Sequence, residues 1–363
     1  MNRYPHVLQF VTSQPWAIRR ETLDEMLSIL RFRSEGGVFD PDEIRARVDA
    51  ARSGPREGAR GGAVAVIPMY GIISQRASLM SDMSGGMSLE AFMGAFRDAL
   101  NDPDVKGIVI DADSPGGSVS GIEEAATEIR NARGLKPIVF VVNTMMASAA
   151  YHLGAQADEI VASPSSLTGS IGVYSVHEDW SKADEIAGLK RTYVSAGKYK
   201  VEGNPDEPLS DDGRAATQQM VDDYYAMFVK AVARGRGVSA ATVRDGYGEG
   251  RVLTAKRALD AGMVDRIGTL DEAIARVASG RVKATPAATA ALTSDEVHAA
   301  FNLDAATFDV EWSRADGFVV TECTGVSASP VLPDPLPETL TPELRAIAER
   351  QLEIAKARAR THR

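Results

Sequence analysis

The chain has 363 residues, of which 44% are hydrophobic and 25% charged, and its formal net charge is −10. This is an ordinary globular balance, which excludes wholesale disorder. The acidic excess argues against broad nucleic-acid binding, which needs a basic surface. One cysteine, Cys323, and five scattered histidines exclude an internal disulfide and a cysteine-rich zinc site, and no cofactor or metal is expected.

Residues 1–62 read as a charged, helical lead-in ending in a Gly/Arg/Pro linker. Leu23, Met26, Leu27 and Leu30 recur at helical spacing. Asp40-Pro41-Asp42-Glu43 reads as a second helix start. The N-terminus lacks the unbroken apolar stretch of a signal peptide, and no membrane anchor is expected.

From Ala63 the pattern changes to short apolar strands alternating with helices. AVAVIPMYG reads as a strand, Leu89 to Leu100 as a helix, and KGIVIDADSPGG as a buried strand running into a Gly-rich turn. Gly121 to Arg133 reads as a helix. The uncharged stretch Pro137 to Ala157 has the length of a membrane span, but its Asn, Thr, Ser, His and Gln residues favour a buried strand, PIVFVV, followed by a buried helix from Ser148. Then come EIVAS and GSIGVYSV as strands, Asp179 to Ala187 as a helix, RTYVSAG as a strand, and a long helix from Asp211 to Gly235. A short helix from Thr254 to Ala261, a strand and a last helix close the segment. Such alternation predicts an α/β domain over residues 63–280 with mostly parallel pairing and flanking helices. Residues 281–342 read as a low-complexity, proline-rich linker, and residues 343–363 as a basic helix; together they form a flexible C-terminal tail.

Four segments carry candidate chemistry. Asp113-Ser114-Pro115-Gly116-Gly117 ends a buried strand, and its glycines let backbone N–H groups approach a ligand. Ser148 sits among small residues at a strand-to-helix junction, as a nucleophile or as a simple N-cap. The third segment is Thr168-Gly169-Ser170-Ile171-Gly172-Val173. The fourth is Gly197-Lys198-Tyr199-Lys200, where a desolvated lysine would become a general base. Each segment alone is commonplace.

In this order and at these spacings the segments resemble the signal peptide peptidase A family of serine peptidases. The family has a Clp protease/crotonase-like fold, and the resemblance covers roughly residues 63–280. Tyr70-Gly71-Ile72-Ile73, the stretch from Ser81, the stretch from His177 and GKYKVEGNPDEPLS look like its phage branch, the minor capsid or prohead proteases. The resemblance implies Ser148 as nucleophile, Lys200 as general base and Ser170 as the group that holds the lysine amine. It implies the backbone N–H groups of Gly117 and Ala149 as oxyanion hole. It also implies a polypeptide substrate (capsid, scaffold or the chain's own tail), a homo-oligomer, and a place in the host cytoplasm. Two departures bear on specificity: Ala149 and Ala150 stand where the family has glycines, and His152 where a second aromatic is common.

Three rivals stand beside this reading. A Clp-type Ser-His-Asp peptidase would use His177 as its base. A catalytically silent capsid structural protein would keep the fold alone. A crotonase homologue handling acyl-CoA would leave Ser148 and Lys200 unexplained.

Overall fold

The computed structural model describes residue 11 and residues 14–34, 64–76, 86–285, 308–313 and 317–322, the last two stretches by backbone only. The chain divides into two compact units, residues 1–287 and 288–363.

The first unit opens with β1 (Trp16–Ile18) and α1 (Arg20–Ser34). The strands β2 (Val64–Tyr70), β3 (Ile73–Ser74) and β4 (Met87–Ser88) lead into α2 (Leu89–Asn101). Ser88 caps α2 by accepting from the Ala91 N–H at 3.3 Å. Next come β5 (Gly107–Ser114), β6 (Gly116–Ser118), α3 (Ile122–Asn131), β7 (Ile138–Ala147) and α4 (Ala149–Gly154). β8 (Glu159–Ala162), β9 (Leu167–Gly169), α5 (Ser181–Ile186), α6 (Asp211–Arg236) and α7 (Ala240–Gly246) follow. β10 (Val252–Thr254), α8 (Ala255–Asp260), β11 (Arg266–Ile267) and α9 (Leu270–Ala278) close the unit, the last with a capping box between Thr269 and Glu272. In the second unit, β12 (Phe308–Ser313) and β13 (Gly317–Glu322) pair antiparallel.

The main sheet runs β10-β9-β7-β5-β2, with β8 and β11 attached through β7. Its pairings are parallel except β9 with β10. Alternation in the strands buries both faces. Ile108, Ile110, Phe140 and Val142 join one core with Phe92 and Phe96 of α2 and Phe228 and Val232 of α6. Val109, Val139 and Val141 join another with Ala273 and Val277 of α9. β7 is the pivot. Its first half pairs with β8 and its last residues, Met145 to Ala147, pair with β9. Both lie along the edge of β7 opposite β5, β8 beside Val139–Val142 and β9 beside Met145–Ala147, next to the point where β7 hands over to α4.

A small second sheet, β1-β6-β3-β4, lies at the end of β5. β1 is a departure from the sequence reading, which took residues 1–62 as helical. Trp16 and Ile18 bury against Leu23, Met26 and Leu27 of α1, so the lead-in has a small core of its own. Two other expected strands are absent. Of GSIGVYSV, only Gly169 lies in a strand, and Tyr174 makes a lone bridge to Trp16. RTYVSAG is not a strand: residues 185–200 are exposed throughout, and no neighbouring strand satisfies their backbone. The helix start at Asp40, the linker before Ala63 and the basic C-terminal helix lie outside the described residues.

Candidate active site

β5 and β7 are parallel neighbours, with Ser114 in register with Met146, so their carboxyl ends deliver two turns side by side. β5 delivers Ser114 to Gly117 and β7 delivers Ser148.

Ser148 is fully buried, with φ 56° and ψ −121°. A non-glycine residue rarely adopts this backbone, and holding it costs of order 1–3 kcal/mol. Two hydrogen bonds hold it there. Its N–H donates to the Gly169 carbonyl at 2.7 Å, and its carbonyl accepts from the His152 N–H at 2.9 Å. Its side chain does not cap α4. Among the described residues, the hydroxyl's one partner is the Gly172 carbonyl at 3.5 Å, the outer limit for such a bond. The serine is therefore positioned by its backbone and its hydroxyl is almost unengaged.

The glycine turn faces it. A Cβ on Gly116, which has φ 105°, would lie 2.8 Å from the Ser148 Cβ and would collide with the Ala17 carbonyl oxygen. A Cβ on Gly117 would collide with the Ile73 backbone. Both positions require glycine for close approach. The Ser114 hydroxyl stiffens the turn, donating to the Gly71 carbonyl at 2.6 Å and accepting from the Gly116 N–H at 3.2 Å. Ala149 is fully buried and opens α4, so its N–H is one of the donors that the helix leaves unpaired.

Ser170 also has a positive φ, 55°, and its N–H donates to the Arg251 carbonyl at 2.8 Å. It is half-buried, next to the Gly169 carbonyl that anchors Ser148. Lys200 is not brought to this cluster. It is exposed in a turn closed by its own N–H to the Gly197 carbonyl at 3.1 Å, and its amine has no hydrogen bond or ion pair among the described residues. Lys198 is engaged: its amine lies 2.6 Å from the Tyr199 hydroxyl and 4.0 Å from an Asp212 carboxylate oxygen.

His177 leaves its Nε2 buried without a partner, and the neighbouring Glu178 is taken by Arg31. Among the described residues, no carboxylate bonds to the His177 ring, as the base of a Ser-His-Asp triad would require.

Sequence reasoning missed the surroundings of His152. Its ring stacks on Phe228 at 4.6 Å between centroids, and its Nε2 lies 2.9 Å from Glu123, which also accepts from Arg234 at 2.9 Å. Burial alone would raise the Glu123 carboxyl, but the His152 and Arg234 contacts outweigh it and hold it below the usual range. Glu123, His152 and Phe228 border a small cleft, lined also by Ala17, Val119, Ile122 and Val173. His152 and its aromatic and charged partners come from three distant helices, so no local motif announced them.

Residues 130–284, which include Ser148, Ser170 and Lys200, match the model of peptidase family S49. The chain is 33% identical over 211 residues to capsid assembly protease C of Escherichia phage lambda, covering 58% of this chain and 48% of that protein. It is 29% identical over 245 residues to head-tail preconnector protein GP5 of Enterobacteria phage P21, covering 66% and 48%. It therefore spans about half the length of these relatives. Among solved structures it aligns with the 1510-N membrane protease specific for a stomatin homolog from Pyrococcus horikoshii. That alignment has 15% identity and a TM-score of 0.36, and covers 59% of this chain and 77% of that one. Among the described residues, no helix is long and apolar enough to cross a membrane, and no acidic, histidine or cysteine group could hold a metal ion.

Proposed function

We propose that this chain is a serine endopeptidase working through a Ser148–Lys200 dyad, with a polypeptide substrate from phage head assembly: capsid protein, scaffold or its own tail. The observation that carries the reading is Ser148 itself, buried in a strained conformation with an almost unengaged hydroxyl against the Gly116-Gly117 turn. Strain of this kind persists where the surroundings over-determine it, often at sites of chemistry. The S49 match and the phage relatives support the same reading.

The Ser148 Oγ attacks the scissile carbonyl and its proton passes to the Lys200 amine. The N–H groups of Gly117 and Ala149 receive the developing oxyanion. The protonated lysine then gives its proton to the leaving amine, and water hydrolyses the acyl-enzyme with the lysine again acting as base. Lys200 must be neutral at attack, which needs desolvation. The dyad therefore forms when the exposed stretch 185–200 closes over Ser148. Packing against a second copy or a bound substrate supplies that cover, in keeping with a homo-oligomer that works in the host cytoplasm.

A fluorophosphonate probe tests the reading. It should label the full chain at Ser148 and should not label Ser148→Ala or Lys200→Ala. Labelling that persists in Ser148→Ala would remove Ser148 from the mechanism.

A further inference from the structure

The glycine turn already has an occupant. β1 pairs antiparallel with β6, placing Trp16 opposite Ser118, Ala17 opposite Gly117 and Ile18 opposite Gly116. The Arg19 N–H donates to the Pro115 carbonyl at 3.0 Å. Hydrogen-bonded pairs alternate along an antiparallel ladder, so this bond fixes the phase. Ala17 and Gly117 form the next such pair: the Gly117 N–H donates to the Ala17 carbonyl, and the Ala17 N–H to the Gly117 carbonyl. On the opposite edge, Trp16 exchanges both backbone bonds with Tyr174, at 2.9 Å and 3.1 Å. Residues 16–18 are thus clamped between two backbone edges, with the Ala17 carbonyl on the N–H assigned above to the oxyanion. A Cβ on Gly116 would meet the Ala17 carbonyl oxygen on one side and the Ser148 Cβ on the other. The Ala17 side chain borders the cleft beside His152 and Phe228.

We propose that Trp16–Ile18 is a built-in substrate mimic, a strap that fills the peptide groove of the same chain and must leave before a substrate strand can add there. The inference rests on the proposed function, because it takes Gly117 as an oxyanion donor and Ser148 as the nucleophile. Strand addition to an exposed edge is a general mode of peptide recognition, with backbone bonds giving affinity and pockets for alternate side chains giving specificity. The mimic also states what the groove accepts: an extended segment with a small apolar residue at the position of Ala17, facing a cleft walled by Val119, Ile122 and Phe228. The strap is anchored beyond the groove. The Trp16 indole N–H donates to the Val11 carbonyl at 2.7 Å, and its ring packs with Leu23 and Leu27 of α1. Release is therefore a movement of β1 together with its anchor.

The test uses the full chain and two substitutions outside the catalytic machinery. Trp16→Ala removes the anchor. Ala17→Pro removes the N–H that pairs with Gly117, and proline is poorly accommodated in a strand bonded on both sides. Fluorophosphonate labelling rates are measured beside amide exchange at Gly117 and Tyr174, with the β7 amides as a control for folding. The expected result is faster exchange at Gly117 and Tyr174, protected β7 amides, and labelling of Ser148 faster by about tenfold, the factor that about one net hydrogen bond represents. Faster exchange with an unchanged labelling rate would overturn the strap and leave Ser148 as nucleophile. Amides that stay protected in both variants would also overturn it, since a strand held that firmly cannot yield its groove. No labelling at Ser148 in any of the three proteins would instead sink the proposed function, and the strap with it.

Discussion

The Ser148 N–H donates to the Gly169 carbonyl at 2.7 Å, so the last residue of β9 fixes the backbone of the residue that follows β7. That bond, with the one from His152, holds Ser148 at φ 56°. Alanine and glycine both remove the hydroxyl, so comparing them isolates the backbone strain. Ser148→Gly should be more stable than Ser148→Ala by about 1 kcal/mol, because glycine adopts positive φ freely and alanine does not. Thermal melts of the two variants check this, and both should be inactive. Equal stabilities would mean that the strain is relieved elsewhere.

Gly117→Ala should damage both fold and chemistry. The new Cβ would meet the Ile73 backbone, which has no rotamer with which to step aside. β3 or β6 must shift, at a cost of about 1–3 kcal/mol, and the shift carries the Gly117 N–H away from Ser148. Denaturant unfolding and fluorophosphonate labelling should both show the change. A variant with normal stability and normal labelling would show that the turn is looser than its contacts.

Much of this site was legible in the sequence because its determinants are local. A buried strand, a glycine pair and a small-residue serine each leave a mark within a few positions, and the order of Gly117, Ser148, Ser170 and Lys200 carried the family resemblance. What stayed hidden depends on pairing across the chain. Trp16-Ala17-Ile18 is too short an apolar run to announce a strand, and only Gly116–Ser118 and Tyr174 make it one. Conversely, RTYVSAG has the residues of a strand but nothing beside it to bond, so it stays exposed coil. The His152–Glu123–Arg234 chain joins α3, α4 and α6, a juxtaposition created by helix packing.

Glu123 should make the fold acid-sensitive. Its folded-state carboxyl sits below the unfolded value of about 4.3 because His152 and Arg234 outweigh the effect of burial. A lowered carboxylate stabilises the fold above the unfolded value, and that contribution is lost as pH falls through the folded one. Glu123→Gln should cost about 1–3 kcal/mol near neutral pH, since it weakens the bonds to two buried or half-buried partners. The melting difference from wild type should narrow below about pH 4. A difference that is constant across that range would mean that Glu123 acts by packing alone.

The tail beyond the first unit should be dispensable for peptide-bond chemistry. Val282 is buried in the core beneath α9, and the Thr285 N–H donates to Asp158 at 2.9 Å, so a cut at Val282 would remove a contact of the core. A chain ending at Ala287, where the first unit ends, should fold and label like the full chain. One ending at Val282 should melt lower, by the loss of about one hydrogen bond to a carboxylate, worth about 1.5–3 kcal/mol. Loss of soluble expression in the longer truncation would mean that residues 288–363 belong to the folding unit.

Lys200, and not Lys198, should be the base. The two share one exposed turn, and their surroundings separate them. The Lys198 amine is held by the Tyr199 hydroxyl at 2.6 Å, with its Nζ 4.5 Å from the Tyr199 ring centroid and a carboxylate of Asp212 nearby. These partners tie the Lys198 amine to its own turn and to α6. The Lys200 amine has no partner among the described residues and is free to enter a water-excluded site. Lys200→Ala should therefore reduce turnover as severely as Ser148→Ala, because paired catalytic groups act as a unit. Lys200→Arg should fail as well, since a guanidinium does not deprotonate in the working range. Lys198→Ala should keep most of the activity. An inactive Lys198→Ala beside an active Lys200→Ala would reverse the assignment. If both are active and His177→Ala is dead, the buried, unpartnered Nε2 of His177 is the base and the dyad is replaced by a triad.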